Sequence, residues 1–276
     1  MKNKIKIIYE HRGRTKLPIL MYHEVSDEPE KNKVIRNTNP AYSLSVAQFS
    51  EQMEYLYENG YKTLSLNELI DYPSSNREKN VVITFDDGWE NNYTNAFPIL
   101  MKWGLTATIF VITDCIGQPR YVNWNQLEDM NKKRISIQSH TSSHRPLSIL
   151  ETDEIMCELE GSKKSIEEHL GNRVDFLSLP HGMINQKVID LAQAVGYKAI
   201  LTSEPGYSHS YNNPAILRRI NISDRYEIGS FEKIIQVDHS FILSLILAKK
   251  IKNFTRKLMG YNNYRKLYRL RNRIEE

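Results

Sequence analysis

Val81-Val82-Ile83-Thr84-Phe85-Asp86-Asp87-Gly88 is the stretch on which the fold turns. Its first five residues form an apolar, β-branched and aromatic run of strand length. Its last three are two adjacent carboxylates and a glycine, placed where a loop leaves that strand. Downstream, a second apolar stretch, Ile135-Ser136-Ile137, leads to Ser139-His140-Thr141-Ser142-Ser143-His144, which carries two imidazoles four residues apart. One carboxylate and two imidazoles make a three-ligand set for Zn²⁺ or a similar divalent ion, with coordination positions left open. The other carboxylate then stands as a proton acceptor. Taken singly, each fragment has a plainer reading: Asp-Asp-Gly is often only a turn, and a histidine pair is often structural. Together, each at the end of an apolar run, they are the inventory of a metal-assisted hydrolase.

On either side of this run, strand and helix signals alternate. Strands are expected at 19–21, 81–85, 107–113, 135–138, 176–179, 199–202 and 216–222. Helices are expected at 45–59, 92–103, 124–131, 153–170 and 186–195, the first with Phe49, Met53 and Leu56 on one face and Gly60 as its stop. Such alternation implies a parallel sheet with crossover helices, and this many repeats favours a barrel over a short open sheet. Sites in such barrels form at the C-terminal ends of the strands, where both fragments fall.

The chain has 276 residues, 40% hydrophobic and 25% charged, which suffices for a sizeable core. Cys115 and Cys157 stand alone, as free thiols of a reducing compartment would. Met1 to Glu10 contains no continuous apolar segment of the signal-peptide kind, and the longest apolar candidate later on, residues 241–248, is short and interrupted by Ser244. The net charge of +4 is uneven. Residues 249–276 carry ten Lys or Arg against two Glu, and the other 248 residues carry 27 basic against 31 acidic side chains. The basic character belongs to the tail, which argues against a nucleic-acid-binding face. Within the tail, Leu247, Ile251, Phe254 and Leu258 recur at helical spacing among lysines and arginines, and a second helix is expected over 261–273. A basic amphipathic helix of this kind suits an anionic membrane surface, through residues 241–276; the competing reading packs the apolar stripe on the barrel.

Thr84-Phe85-Asp86-Asp87-Gly88, the His140 and His144 pair, and Leu179-Pro180-His181-Gly182, in that order, resemble the first three motifs of the polysaccharide deacetylase family with its NodB-type catalytic domain. Leu20-Met21-Tyr22-His23, the helix ending in Gly60-Tyr61 and Trp124-x-x-Leu127-x-x-Met130 look like the subgroup that deacetylates exported β-linked N-acetylglucosamine polymers. The resemblance spans residues 17–222. It implies an α/β fold, a distorted (β/α) barrel of about seven repeats, followed here by a helical basic tail. It also implies Asp86 as general base and Asp87, His140 and His144 as metal ligands. Zn²⁺ is the default ion, and Co²⁺ or Ni²⁺ suit the same ligands. On this division, residues 1–16 are an extension, 17–235 the catalytic domain and 236–276 the amphipathic basic helices.

The sequence departs from the family pattern in three places. The late leucine–x–histidine motif that supplies the general acid is absent, which leaves His23 and His209 as candidates. His181 stands where an aromatic residue usually follows the proline of the third motif. Ser178-Leu179 stand where an arginine usually precedes it, and Arg218 or Arg219 is the candidate to fill that charge role. Tyr22, Pro180, His181, Gly182 and Arg219 are expected to meet the substrate. The implied substrate is an N-acetylated glycan, as polymer or as lipid- or nucleotide-linked precursor. A hydrolase of a cyclic amide and a catalytically silent glycan-binding protein are the alternatives. The expected location is cytoplasmic, peripheral on the inner face of the membrane.

Overall fold

The computed structural model describes residues 17–27, 42–71, 79–206 and 215–259. Strands β1 (Ile19–Tyr22), β2 (Glu24–Val25), β3 (Ser43–Leu44), β4 (Lys62–Thr63) and β5 (Asn80–Phe85) come first. They are followed by β6 (Thr108–Val111), β7 (Ser136–Ser139), β8 (Phe176–Ser178), β9 (Ala199–Leu201), β10 (Ala215–Leu217) and β11 (Ile220–Asn221). The main sheet runs β10-β9-β8-β7-β6-β5-β1-β11, with β4 added beside β5, and every pairing in it is parallel. β2 and β3 form a separate two-stranded ribbon.

One expected strand, 216–222, is in fact two. β10 and β11 sit at opposite ends of the sheet path, yet only Arg218-Arg219 joins them. Three Cα–Cα steps reach about 11 Å at most. The sheet therefore has to curl until its two edges nearly meet, which makes it a barrel with a seam. Eight strands lie on the path where seven were expected, and the difference is this split. The distortion of the barrel is the seam itself.

Helices cover the outside: α1 (Val46–Glu58), α2 (Leu66–Asp71), α3 (Phe97–Lys102), α4 (Trp124–Lys132), α5 (Thr152–Leu170), α6 (Gln186–Val195), α7 (Ile228–Ile235) and α8 (His239–Met259). The Ser45 hydroxyl accepts from Gln48 N–H to start α1, and Gly171 ends α5 in the left-handed region at φ 69°. The helix expected at 92–103 opens instead with one π-turn, Asn92–Ala96, in which Phe97 N–H reaches back to Asn92. Pro98 follows at the second position of α3, where its missing N–H costs least. α7 buries Phe231, Ile234 and Ile235, and Ile242 of α8 is buried too, so the segment beyond residue 235 begins as a docked helix. The second tail helix expected at 261–273 lies outside the described residues, as do residues 1–16.

Candidate active site

Period-two alternation along parallel strands sorts the side chains into two layers. Ile19, Val82, Phe110, Phe176, Ala199, Leu201 and Leu217 form one cluster, the barrel interior. Leu20, Tyr22, Ile83, Phe85, Ile109, Val111, Ile137 and Leu177 form the other, against the helices. Continuing the inward register past the strand ends gives His23 after β1, Thr84 and Asp86 on and after β5, His140 after β7 and Ser178 on β8. The site is the top layer of the barrel interior.

The same register corrects one expectation. Tyr22 is a single residue out of phase with His23, so it points to the helix layer and is fully buried. Its hydroxyl donates to Gln52 Oε1 at 2.8 Å and its ring packs between Phe49 and Phe85. It cannot touch a substrate. Asp87 is out of phase too, but it sits at φ 74°, which turns the chain back toward the barrel mouth. Gly88 must follow: a Cβ there would lie 2.9 Å from Val111 Cγ1, at φ 74°.

Arg219 enters the barrel through the seam and is 1% exposed. Its Nη1 and Nη2 each donate to Asp86 at 2.7 Å, a bidentate fork. Nη1 also reaches Thr84 Oγ1 at 3.3 Å, Nη2 reaches Ser178 Oγ at 2.8 Å, and Nε donates to Thr202 O at 3.1 Å. Both hydroxyls complete the network by donating onward, Thr84 to Leu20 O and Ser178 to Asp86 Oδ2. Burial pushes the Asp86 carboxyl up. The charges of Arg219 and His140, with the hydrogen bonds from Arg219, outweigh that and hold it below its ordinary value. Of the two arginines considered, Arg219 is the one on Asp86, and a serine suffices at 178 because the guanidinium fills the space beside it. Arg219 was expected to meet substrate. Its donors are committed inside the protein, so its place is behind the carboxylate and away from the ligand.

Asp87, His140 and His144 converge, their ligand atoms all within 4.8 Å of one another. His140 Nε2 and His144 Nε2 approach Asp87 Oδ1 at 3.4 and 3.5 Å. A carbonyl oxygen only accepts, so His140 Nδ1, 2.8 Å from Ser178 O, carries the proton. That fixes the tautomer and turns the Nε2 lone pair inward. Burial, then the His140 charge, pushes His144 down to about 3, so its imidazole is neutral and able to ligate. Asp87 is held well below the usual carboxylate range despite its burial, by the His140 hydrogen bond and the three neighbouring imidazoles. Trp89 Nε1 donates to Asp87 Oδ2 at 3.1 Å and leaves Oδ1 facing the imidazoles. Burial pushes the His140 imidazole down, but the Asp86 charge, the hydrogen bond and charge of Asp87 and the Ser178 carbonyl outweigh it and raise it toward the protonated form. A divalent cation among the three donors takes the place of that proton. The donor set fits a divalent ion.

The loop between the two histidines is pinned from outside. Thr141 and His144 both have positive φ, 67° and 62°. Glu158 of α5, itself buried, accepts from Ser142 N–H and Ser143 N–H at 2.9 Å each and from the Ser143 hydroxyl. Glu158→Ala leaves those donors without an acceptor. The expected outcome is a loss of about 1–3 kcal/mol in stability and about 10–100-fold in metal affinity. Thermal melts and metal titration read the two. Glu158→Gln keeps an acceptor and is expected to recover most of the affinity.

His23 lies beside the same groups. Burial pushes its imidazole down, Asp87 and Asp86 pull it up, and Arg219 and His140 push it down again. Its Nδ1 is buried with no hydrogen-bond partner among the described residues, and its ring rests on Tyr42 at 4.5 Å. His209 lies outside the described residues. Pro180 is buried under a tight turn, 180–182. In that turn His181, at φ 59°, is exposed with its ring 5.0 Å from His144. Gly182 N–H is committed to Leu179 O, and a Cβ on Gly182 would lie 2.1 Å from Ser203 Oγ. Beyond this turn opens a groove of about 290 Å³, lined by Ser148, His181, Glu204, Lys249 and Asn253 among others.

A family model described as polysaccharide deacetylase matches residues 74–200. Over 211 residues the chain is 33% identical to YxkH of Bacillus subtilis (strain 168), which carries the polysaccharide deacetylase name; the match covers 75% of this chain and 72% of that one. Over 221 residues it is 28% identical to the poly-β-1,6-N-acetyl-D-glucosamine N-deacetylase of Staphylococcus aureus (strain MRSA252), covering 74% and 73%. The structure of the Streptococcus pyogenes deacetylase PplD in complex with acetate matches with a TM-score of 0.72 at 27% identity, over 81% of this chain and 98% of that one.

Proposed function

The chain belongs to the polysaccharide deacetylase family, and from that premise we propose that it hydrolyses the acetamido group of an N-acetylhexosamine unit, releasing a free amine and acetate, with a divalent ion held by Asp87, His140 and His144. The observation that carries this reading is the pairing of two differently prepared carboxylates at one barrel mouth. Asp86 is fixed by Arg219, and Asp87 faces the imidazoles of His140 and His144. The ion, when bound, polarises the acetamide carbonyl and lowers the pKa of water toward neutrality. Zn²⁺ is the default by this ligand set, with Co²⁺ or Ni²⁺ accepted in its place.

Asp86 is the base. Its ionised oxygens, locked in one orientation by the Arg219 fork, accept the proton of the attacking water. The departing nitrogen needs a proton, or the tetrahedral adduct returns to amide. His23 gives it, as an imidazolium that burial disfavours and the neighbouring Asp87 and Asp86 charges favour; its Nδ1 is buried with no hydrogen-bond partner among the described residues. His181 and Gly182 border the open side and meet the sugar. The substrate is a glycan polymer or a lipid- or nucleotide-linked precursor. It is met on the cytoplasmic side, with residues 241–276 against an anionic membrane surface.

Acetate release from N-acetylglucosamine oligosaccharides tests the activity, with ring-opened product from cyclic amides as the competing outcome. His23→Gln is expected to lower kcat by about 10²–10⁴ with bound metal unchanged. Unaltered turnover in that variant would move the acid role to another residue.

A further inference from the structure

The outer face of α8 has no partner among the described residues. Leu243, Leu247, Ile251 and Phe254, spaced four, four and three apart, are 45%, 58%, 65% and 65% exposed. They are four of the six large apolar side chains exposed among the described residues. The helix docks by a different face, through buried Ile242 and half-buried Leu245 and Ile246. Leu247, Ile251 and Phe254 of the stripe read from the sequence therefore do not pack on the barrel; a second apolar face does, and the Leu258 side chain lies outside the described residues.

The charge on α8 says what suits the outer face. The helix carries Lys249, Lys250, Lys252, Arg256 and Lys257 and no acidic residue. Lys250 is exposed alongside the stripe, and Lys252 is exposed further round the helix. A second copy of this chain would bring a like-charged helix against it, which is unfavourable. No described helix is long and apolar enough to cross a membrane. An apolar stripe about three turns long with cationic flanks matches the interface of an anionic bilayer, with the side chains in the acyl boundary and the lysines at the headgroups.

The same helix borders the site. Lys249 and Asn253 line the groove that continues from His181, so α8 turns one face to the groove and another outward. We propose that the Leu243–Leu247–Ile251–Phe254 face of α8 docks on anionic lipid and thereby holds the groove at the membrane surface, where the enzyme takes a membrane-tethered acetamido glycan. The docking half rests on α8 alone; the substrate half rests on the deacetylase reading above.

The full chain is sedimented with phosphatidylcholine vesicles, with and without phosphatidylglycerol, at low and high salt. Acetate release is measured in parallel on a soluble N-acetylglucosamine oligosaccharide and on one lipid-anchored in the same vesicles. The comparison is the variant Leu247→Ser/Ile251→Ser/Phe254→Ser, whose exposed positions leave the fold and the soluble-substrate rate unaltered. The proposal expects salt-sensitive partition onto the anionic vesicles, reduced at least about tenfold in the variant. Turnover of the anchored substrate falls in step. Partition that the triple variant retains, or no partition at all, overturns the docking surface. So does reversible dimerisation in sedimentation velocity that the variant abolishes. Normal docking with equal loss of anchored and soluble turnover overturns the substrate half. Failure of acetate release from every substrate, with docking intact, strikes the deacetylase reading and leaves the surface standing.

Discussion

Arg219→Met is expected to damage the protein twice, in stability and in the pH dependence of turnover. The guanidinium is 1% exposed and spends its fork on Asp86 at 2.7 Å. Removing one partner of a buried pair leaves the other charge uncompensated, at a cost of about 3–5 kcal/mol. The pH dependence of stability also changes. In the native protein the Asp86 carboxyl is held below its ordinary value. It therefore adds stability that is present above the unfolded pKa of about 3.9 and is lost as pH falls through the folded one. In Arg219→Met burial is opposed only by the charges of His140 and His23, so this acid-side contribution to stability shrinks and the folded pKa rises. The acid limb of kcat/KM moves up with it, because Asp86 must be ionised to take a proton. Arg219→Lys keeps the charge without the fork and falls between the two. Chemical denaturation across pH 3 to 8, with a pH–rate profile, reads both effects. A variant that melts with the native slope against pH would remove Arg219 from this role.

Asp87→Ala and His140→Ala are expected to lose the bound ion and, with it, acetate release down to background. Each removes one of three ligands and leaves two imidazoles, or one imidazole and a carboxylate, too few to hold the ion at ordinary availability. The loss in affinity exceeds the about 10–100-fold typical of an outer-shell contact. Asp86→Asn is the informative contrast. It keeps the ligand set and is expected to retain about one ion per chain while turnover falls about 10²–10⁴-fold. Elemental analysis on the three variants, beside native protein, separates ion binding from proton transfer. If Asp87→Ala retained the ion, the division of labour between the two carboxylates would be wrong.

The barrel was legible because each strand and helix signal is local. Five of the strands expected from pattern recur within a residue or two, and Val81 to Phe85 recurs inside β5. β4 and the β2–β3 ribbon are only two residues per strand and carry no periodicity to read. The split of 216–222 was hidden because both halves are apolar, and nothing local marks Arg218-Arg219 as a seam. Tyr22 could have been set aside from sequence alone. If His23 faces the barrel interior, its predecessor on an extended strand faces the helices. Trp89, two residues past Asp87, was also within reach of local reading. Glu158 was not: it is one of five glutamates in α5, and only its seat behind Ser142 and Ser143 sets it apart.

By itself the sequence determined the alternation of strands and helices, the strand ends at which carboxylates and imidazoles emerge, and the four-residue spacing of His140 and His144. All of these are written within contiguous segments. Barrel closure decided what meets across the molecule. It brought Arg219 onto Asp86 from 133 residues away and let Ser178 stand in a gap that the guanidinium fills. It seated Glu158 under the histidine loop, and it chose which of the two apolar faces of α8 would be buried. Such contacts depend on how far the sheet curls and on which face each element presents. Both follow from packing the whole chain at once, and no segment carries them alone.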